Sequence, residues 1–461
     1  MQTSGHPILK LPTTVSPDPT QTLPRKPTKR LGAIPGPPAA SPMGHGATMR
    51  RDLLPFLQRS YTAYGDLFRV RFPGRRPTLV ALGTAANELV LNDTQHLFSS
   101  AAPTFGKHRP YKDTMATKDF ADHDQLREQF DGAFSREALV GYLERMNESA
   151  ASVLSGWPTQ GIVKFYPQIK SLLLQVNADA LAGLELSRSK RLRDTCARAL
   201  SAEFAHPTMH PTGKARRREL RAAKTLTSLL RDLVPGRRVN RSSDMFSQLC
   251  QTELEDTEIA RNLFALWHTA HDSTAIAMTN IVYSLARYPD WQERLRNDVA
   301  SIKLSDAGPS FDDLSSLDTI EWVFKEVLRL YSPIQLLQRR SLTSVNFAGY
   351  QIPENASVLL FPHFTHHIAK WFAQPASFDP LRFAPQRAED RRHPFVFVPF
   401  GQGAHRCIGS HFALLQVRAL LVHLLPRYRF ELPDNHQLQV RCLPRPIPKD
   451  DLRVNISAIA S

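Results

Sequence analysis

The sequence predicts a mainly α-helical fold with small β-sheets at one side, on three observations. Apolar residues recur at helical spacing over long stretches from about Gln125 to Leu330, strand-like runs are few and short, and no internal repeat divides the chain. At 461 residues and 42% hydrophobic, the chain can bury a large core. The stretch "LPTTVSPDPTQTLPRKPTKRLGAIPGPP" is rich in proline and threonine and has no long apolar run. Residues 1–45 therefore read as a flexible tail, and residues 46–461 as a single folded domain.

The elements follow in order. "DLLPFLQRSYTAYG" has helical spacing and ends at Gly65; "LFRVRF" and "PTLVAL" then read as strands joined by the turn "PGRR". The long helical patterns break near "HPTMHPTG", "VPGRR" and "DAGPS", where proline and glycine cluster. Strand patterns return at "VNFAGYQIP" and "SVLLFP". Near the end, Ile408, Phe412, Leu415, Ala419 and Val422 mark another helix.

Composition excludes several classes. The four cysteines, Cys196, Cys250, Cys407 and Cys442, lie far apart with no CxxC pair, so neither a disulfide framework nor a zinc finger is expected. No apolar run is long enough for a secretory signal or a membrane anchor, so a soluble, cytoplasmic protein is expected. The formal charge of +15 is compatible with nucleic acid, an anionic membrane surface or an acidic protein. Its densest cluster, "KARRRELRAAK", comes with no nucleic-acid motif and reads as a solvated helix face.

One stretch carries chemistry: "FVPFGQGAHRCIGSHFALLQ", Phe397 to Gln416. Gly401 and Gly403 permit a tight turn with positive φ, and Cys407 is placed to cap the helix that follows. There the helix dipole and free N–H groups favour a thiolate, the form a nucleophile or metal ligand needs. The competing reading is an inert buried cysteine. Phe400 can shield one side of a flat group, and His405 and Arg406 add positive charge; a zinc site would need ligands beyond His405 or His411.

"FGQGAHRCIG" resembles the haem-binding loop of the cytochrome P450 family. The resemblance spans roughly Asp52 to the C-terminus and implies the mainly α haem-thiolate fold, haem b as cofactor and Cys407 as the iron ligand. Further motifs accompany the loop. In "KEVLRLYSP", Glu326 and Arg329 share a helix face, and "FDPLRF" supplies Arg382; the family pattern makes these three a buried structural triad. "DHDQLREQFDGAF" resembles the helix that reaches the haem propionates, which implies His123 and Arg127 as contacts, joined by Arg339 and His405, with Phe400 beside the ring.

"LFALWHTAHDSTAIAMTNIVYSLARYP" resembles the helix crossing the distal haem face. An acid–alcohol pair is retained as Asp272 and Ser273, with Thr274 a second hydroxyl, while Ala270 stands where the family usually has glycine. Proton delivery is expected of these three residues. Substrate contacts are expected from Ala265, Thr269, Gln335 and Leu336, and from the segments Ser99–Lys118 and Phe204–Gly213. His268, four residues before Asp272, either bonds a core carbonyl or holds a polar group of the substrate.

The implied reaction inserts one oxygen atom from O2 into a small organic substrate of lipid, terpenoid or aromatic type. Two electrons come from NAD(P)H through a ferredoxin or flavodoxin-type donor and its reductase; no nucleic-acid partner is implied. An H2O2-dependent peroxygenase of the same fold would typically carry Arg-Pro in place of Asp272-Ser273. A haem-binding sensor without turnover would not need the relay.

Overall fold

The computed structural model describes residues 34–39, 44–72, 77–101, 111–201, 214–302, 308–434, 436–442 and 445–459. Its helices are, in chain order, α1 Gly46–Arg51, α2 Leu53–Tyr64, α3 Thr84–Asn87, α4 Phe120–Glu128, α5 Arg136–Leu154, α6 Phe165–Ala182, α7 Lys190–Leu200 and α8 Lys214–Val239. They continue with α9 Met245–Leu249, α10 Asp256–Arg287, α11 Pro289–Ala300, α12 Phe311–Ser315, α13 Asp318–Tyr331, α14 Pro362–Thr365 and α15 Ser410–Leu424. The strands are β1 Leu67–Val70, β2 Thr78–Ala81, β3 Phe98–Ser99, β4 Gln160–Lys164, β5 Leu337–Ser341, β6 Val345–Phe347, β7 Tyr350–Ile352, β8 Ser357–Leu360, β9 Tyr428–Glu431, β10 Val440–Arg441, β11 Ile447–Pro448 and β12 Arg453–Ala458.

The apolar spacing read from the sequence explains the arrangement. α10 has 32 residues and is buried on most of its faces, because α6, α8, α13 and α15 pack around it. Its side chains join those of α5, α6, α13 and α15 in the largest core cluster. A second core lies under a five-stranded sheet of order β1-β2-β8-β5-β3, where the β2–β8 pair is parallel and the other pairs antiparallel. All four residues of β2 are buried, as expected of a strand inside a sheet covered on both faces. A three-stranded sheet β4-β12-β9 and the pairs β6–β7 and β10–β11 complete the strands.

Three expectations need revision. The packed chain begins before Gly46: Ile34 is fully buried, the Pro35 carbonyl accepts the Arg69 N–H at 2.8 Å, and the His45 ring accepts the Arg71 N–H at 2.9 Å. Local composition reads as tail there, but tertiary contacts hold it. α8 does not break at "VPGRR"; it runs through Pro235 to Val239. Proline forfeits one ladder bond, and the turn beyond it is held from outside. Arg237 reaches Asp244 and the Gly183 carbonyl, and Arg238 donates to the Cys250, Thr252 and Leu254 carbonyls. Third, Cys407 does not cap α15; Gly409 does. The interruption at "DAGPS" holds for its described residues, since α12 starts at Phe311 with a capping box between Ser310 and Asp313. "HPTMHPTG" and the turn "PGRR" lie outside the described residues. Among the described residues, no helix is long and apolar enough to cross a membrane.

Candidate functional site

The middle of α10 presents its neighbouring positions to different surroundings. Thr269 is exposed and Ala270 and Ser273 are half-buried, whereas His268, His271, Asp272 and Thr274 are buried. The Thr269 hydroxyl donates to the Ala265 carbonyl at 2.9 Å and the Ser273 hydroxyl to the Thr269 carbonyl at 2.6 Å. Such back-bonding loosens a helix locally, and here two successive hydroxyls do it on one stripe.

Asp272 is turned into a buried ion cluster. Its carboxylate lies 2.9 Å from the Lys170 ammonium on α6 and 2.6 Å from the Arg445 guanidinium, which comes from the turn between β10 and β11. Burial by itself would raise the Asp272 pKa, but Arg445 and Lys170 outweigh it and hold the group well below the usual carboxylate range. His268 is fully buried, with Nδ1 hydrogen-bonded to the Tyr111 hydroxyl. Burial lowers its pKa to about 3, and does the same for His271.

The loop before α15 is built from its glycines. Gly401 and Gly403 have φ of 70° and 69°, and a Cβ on Gly403 would stand 2.0 Å from the Leu91 carbonyl oxygen. The turn is closed by bonds from the Arg406 N–H to the Gly403 carbonyl at 3.0 Å and from the Cys407 N–H to the Phe400 carbonyl at 2.8 Å. The Cys407 thiol is reachable by solvent although protein surrounds it on most sides. Burial pushes the thiol up, while the Gly409 N–H, Arg127 and Arg406 pull against that rise.

Two arginines and two imidazole rings gather beside this loop. Arg127 on α4 donates to the Arg406 carbonyl at 2.8 Å and the Ala404 carbonyl at 3.3 Å. The His123 and His405 rings lie 4.0 Å apart. Arg339 on β5 donates to the Gln338 carbonyl at 3.0 Å, and burial lowers it to about 10 against the pull of Asp119 and Asp93. His405 is lowered to about 3 by burial, then by His123 and Arg339. Two guanidinium groups with imidazole donors beside them fit a ligand carrying more than one carboxylate.

Underneath, Glu326 binds Arg329 through two bonds of 2.7 and 2.9 Å and Arg382 at 3.2 Å, all three side chains fully buried. Arg382 is shared with Glu389 at 3.0 Å, which in turn binds the more exposed Arg387 at 2.7 Å, so the cluster extends beyond the three expected members. The arginines also satisfy the carbonyls of His366, Ala373, Pro375 and Ser377.

The cytochrome P450 family model matches residues 34–449. The chain belongs to the cytochrome P450 family. Its P450 relatives include cytochrome P450 136 of Mycobacterium tuberculosis, 29% identical over 439 residues that cover 89% of this chain and 86% of the relative. Cytochrome P450 26B1 of Xenopus tropicalis is 27% identical over 417 residues, covering 86% of this chain and 81% of its own. Among solved P450 structures, retinoic acid-bound cyanobacterial CYP120A1 matches with a TM-score of 0.82 at 24% identity, over 93% of this chain and all of that one, a likeness of fold. P450 proteins are haem-binding monooxygenases, and the loop carrying Cys407, with the carboxylate-seeking side chains beside it, fits that group.

The structure separates the residues expected to act together in this P450. Thr269 and Ser273 share the accessible stripe of α10, while Thr274 is buried away from it, because adjacent helical positions are about 100° apart. His268 is packed away from solvent against Tyr111, its Nδ1 hydrogen-bonded to the Tyr111 hydroxyl. Ala265 and Gln335 are buried, Leu336 is half-buried, and Gln335 Oε1 accepts no bond among the described residues. Phe400 is half-buried, with its ring 6.2 Å from that of Phe324. Residues 102–110 and 204–213 of the expected substrate segments lie outside the described residues. Tyr111, Lys170, Glu389 and Arg445 had no signature in the sequence, since each joins its site through a contact distant along the chain or through a short motif of no recognisable form.

Proposed function

We propose that this P450 holds haem b through the Cys407 thiolate and oxidises an apolar organic substrate, RH + O2 + 2e⁻ + 2H⁺ giving ROH + H2O. The observation that carries this reading is the accessible Cys407 thiol on a glycine-shaped loop beside His123, Arg127, Arg339 and His405. Haem bound there would supply dioxygen activation, with Cys407 as the thiolate donor. His123, Arg127, Arg339 and His405 would hold its propionates, and Phe400 would shield the ring. Glu326, Arg329, Arg382 and Glu389 keep the segments beneath the loop in place.

On the distal side, Ser273 is the hydroxyl assigned to proton handling. Its hydrogen rests on the Thr269 carbonyl and can turn towards the accessible side of α10. Asp272 acts as a fixed anion beside it; its link to Lys170, whose side chain is 23% exposed, is the connection from this turn towards solvent. Thr274, being buried, plays the lesser part.

The substrate reading is a medium-sized lipid, terpenoid or aromatic molecule. Retinoic acid, bound in the cyanobacterial relative, belongs to the terpenoid class and is the first compound to test. Gln335 Oε1 is available to a polar end of such a molecule. Electrons come from NAD(P)H through a ferredoxin or flavodoxin-type donor and its reductase. Asp272 and Ser273 stand against the peroxygenase alternative.

The test is a ferrous-CO difference spectrum of wild type and Cys407→Ser, followed by turnover of a terpenoid, fatty-acid and aromatic library with O2 and a reconstituted donor, or with H2O2 alone. Loss of the thiolate band in the variant and donor-dependent product are expected. A band that survives Cys407→Ser overturns the ligand assignment; CO binding without product from any compound favours a sensor, and product from H2O2 alone a peroxygenase.

A further inference from the structure

The basic cluster that reads in sequence as a solvated helix face acquires a neighbour in the fold. α7 and α8 pack against each other and both pack on α10, with Cys196, Ala199 and Leu200 of one and Ala223, Leu226, Leu230 and Val234 of the other buried between them. Their outer faces therefore lie on the same side of the molecule. On α8 that face exposes Arg217, Arg218, Arg221, Lys224 and Arg231, and on α7 Lys190, Arg191 and Arg198. Arg217, Arg221, Lys224 and Arg231, successively four, three and seven residues apart, form one stripe with Arg218 beside it, about 21 Å long at about 1.5 Å rise per residue.

Acidic side chains do not balance this face. On α7 there is Asp194, and on α8 Glu219 and Asp232, the latter paired with Arg231 at 2.7 Å. Alongside the stripe, Lys190, Arg191, Asp194, Thr195 and Arg198 line an open groove of about 500 Å³.

We propose that the α7–α8 face docks this protein onto an anionic phospholipid bilayer, the stripe lying along the headgroups and the α7 groove receiving a phosphate-bearing one. Three observations select this partner. Cations spread along two adjacent helices suit an extended charged plane, whereas a single small anion needs convergent donors. Neither helix contains Phe, Tyr or Trp, so the face lacks the rings on which single-stranded bases stack. No described helix can span a membrane, so the attachment is peripheral and reversible, held by charge and weakened by salt. The inference stands apart from the proposed chemistry and does not need haem.

The experiment uses the full-chain holoenzyme sedimented with vesicles of pure phosphatidylcholine or of phosphatidylcholine with 30 mol% phosphatidylserine. Binding to the serine-containing vesicles alone, falling at least tenfold between about 0.05 and 0.5 M salt, is expected. The variant with Arg217, Arg218, Arg221 and Lys224 all changed to Gln should bind at least tenfold more weakly while keeping its melting temperature and CO spectrum. Changing the three arginines to Lys should keep binding, because the charge remains. Equal binding to both vesicle types, wild-type binding by the Gln variant, or displacement from the vesicles by a DNA duplex at equal charge concentration would each overturn the proposal.

Discussion

Asp272 and Ser273 are neighbours in sequence but meet different surroundings, the carboxylate in the ion cluster and the hydroxyl on the accessible stripe of α10. Asp272→Asn leaves Lys170 and Arg445 as two partly buried cations without this carboxylate. Both cations keep some contact with water, so the loss falls short of the about 3–5 kcal/mol of a fully buried pair, and the variant should still melt below wild type. Wild-type melting would show that the cluster is not shielded from water. Ser273→Ala should raise the peroxide released per NAD(P)H consumed and Thr274→Ala should do less, because the Thr274 side chain is buried. The reverse order would assign the role to Thr274. The acid–alcohol pair is legible as a local pattern, but its electrostatic setting is not: Arg445 is 173 residues away, beyond any periodicity a sequence displays.

Among the elements, the loop before α15 is the one whose shape its residues dictate most directly. A Cβ on Gly403 meets the Leu91 carbonyl oxygen at 2.0 Å, and φ there is 69°. Gly403→Ala should therefore displace the turn and yield protein with a depleted haem content, read as the ratio of Soret to protein absorbance; full occupancy would mean that the backbone at Leu91 yields. The buried carboxylates under the loop differ in what they hold. Glu326→Gln weakens the partner of both arginines and should destabilise by about 3–5 kcal/mol. Glu389→Gln should cost less, since Arg382 keeps Glu326. The Glu326–Arg329 pair is visible at helical spacing, whereas Glu389 is not, because it sits outside a regular helix where no period applies. α8 misleads for the opposite reason: the signal at Pro235 is real, and distant carbonyls bound by Arg238 override it.

At the scale of the whole molecule, buried histidines set the response to acid. Burial lowers His268 and His271 to about 3, His367 and His423 to about 4, and His363 and His366 well below their ordinary value. The unfolded chain takes up these protons from about pH 6.5 downward and the folded one does not, so stability falls as pH falls through that window. Each group contributes up to about 1.4 kcal/mol per pH unit. Asp272, depressed in the folded state, adds a loss in the same direction at more acidic pH, below about 3.9. The melting temperature should be level above about pH 7 and drop steeply from pH 6.5 to 5; a flat profile would mean that water reaches these rings. The sheet has a different consequence, for the order in which the chain is made. β2 needs β8 as its parallel neighbour, and the nearby Asn87 amide bonds the Thr365 hydroxyl 278 residues further on. At ~5–20 residues per second, the ribosome delivers that partner roughly 15–55 s after the first strands emerge. Through that interval the nascent chain carries an apolar strand with one edge unpaired, and a holding chaperone would find its binding site there.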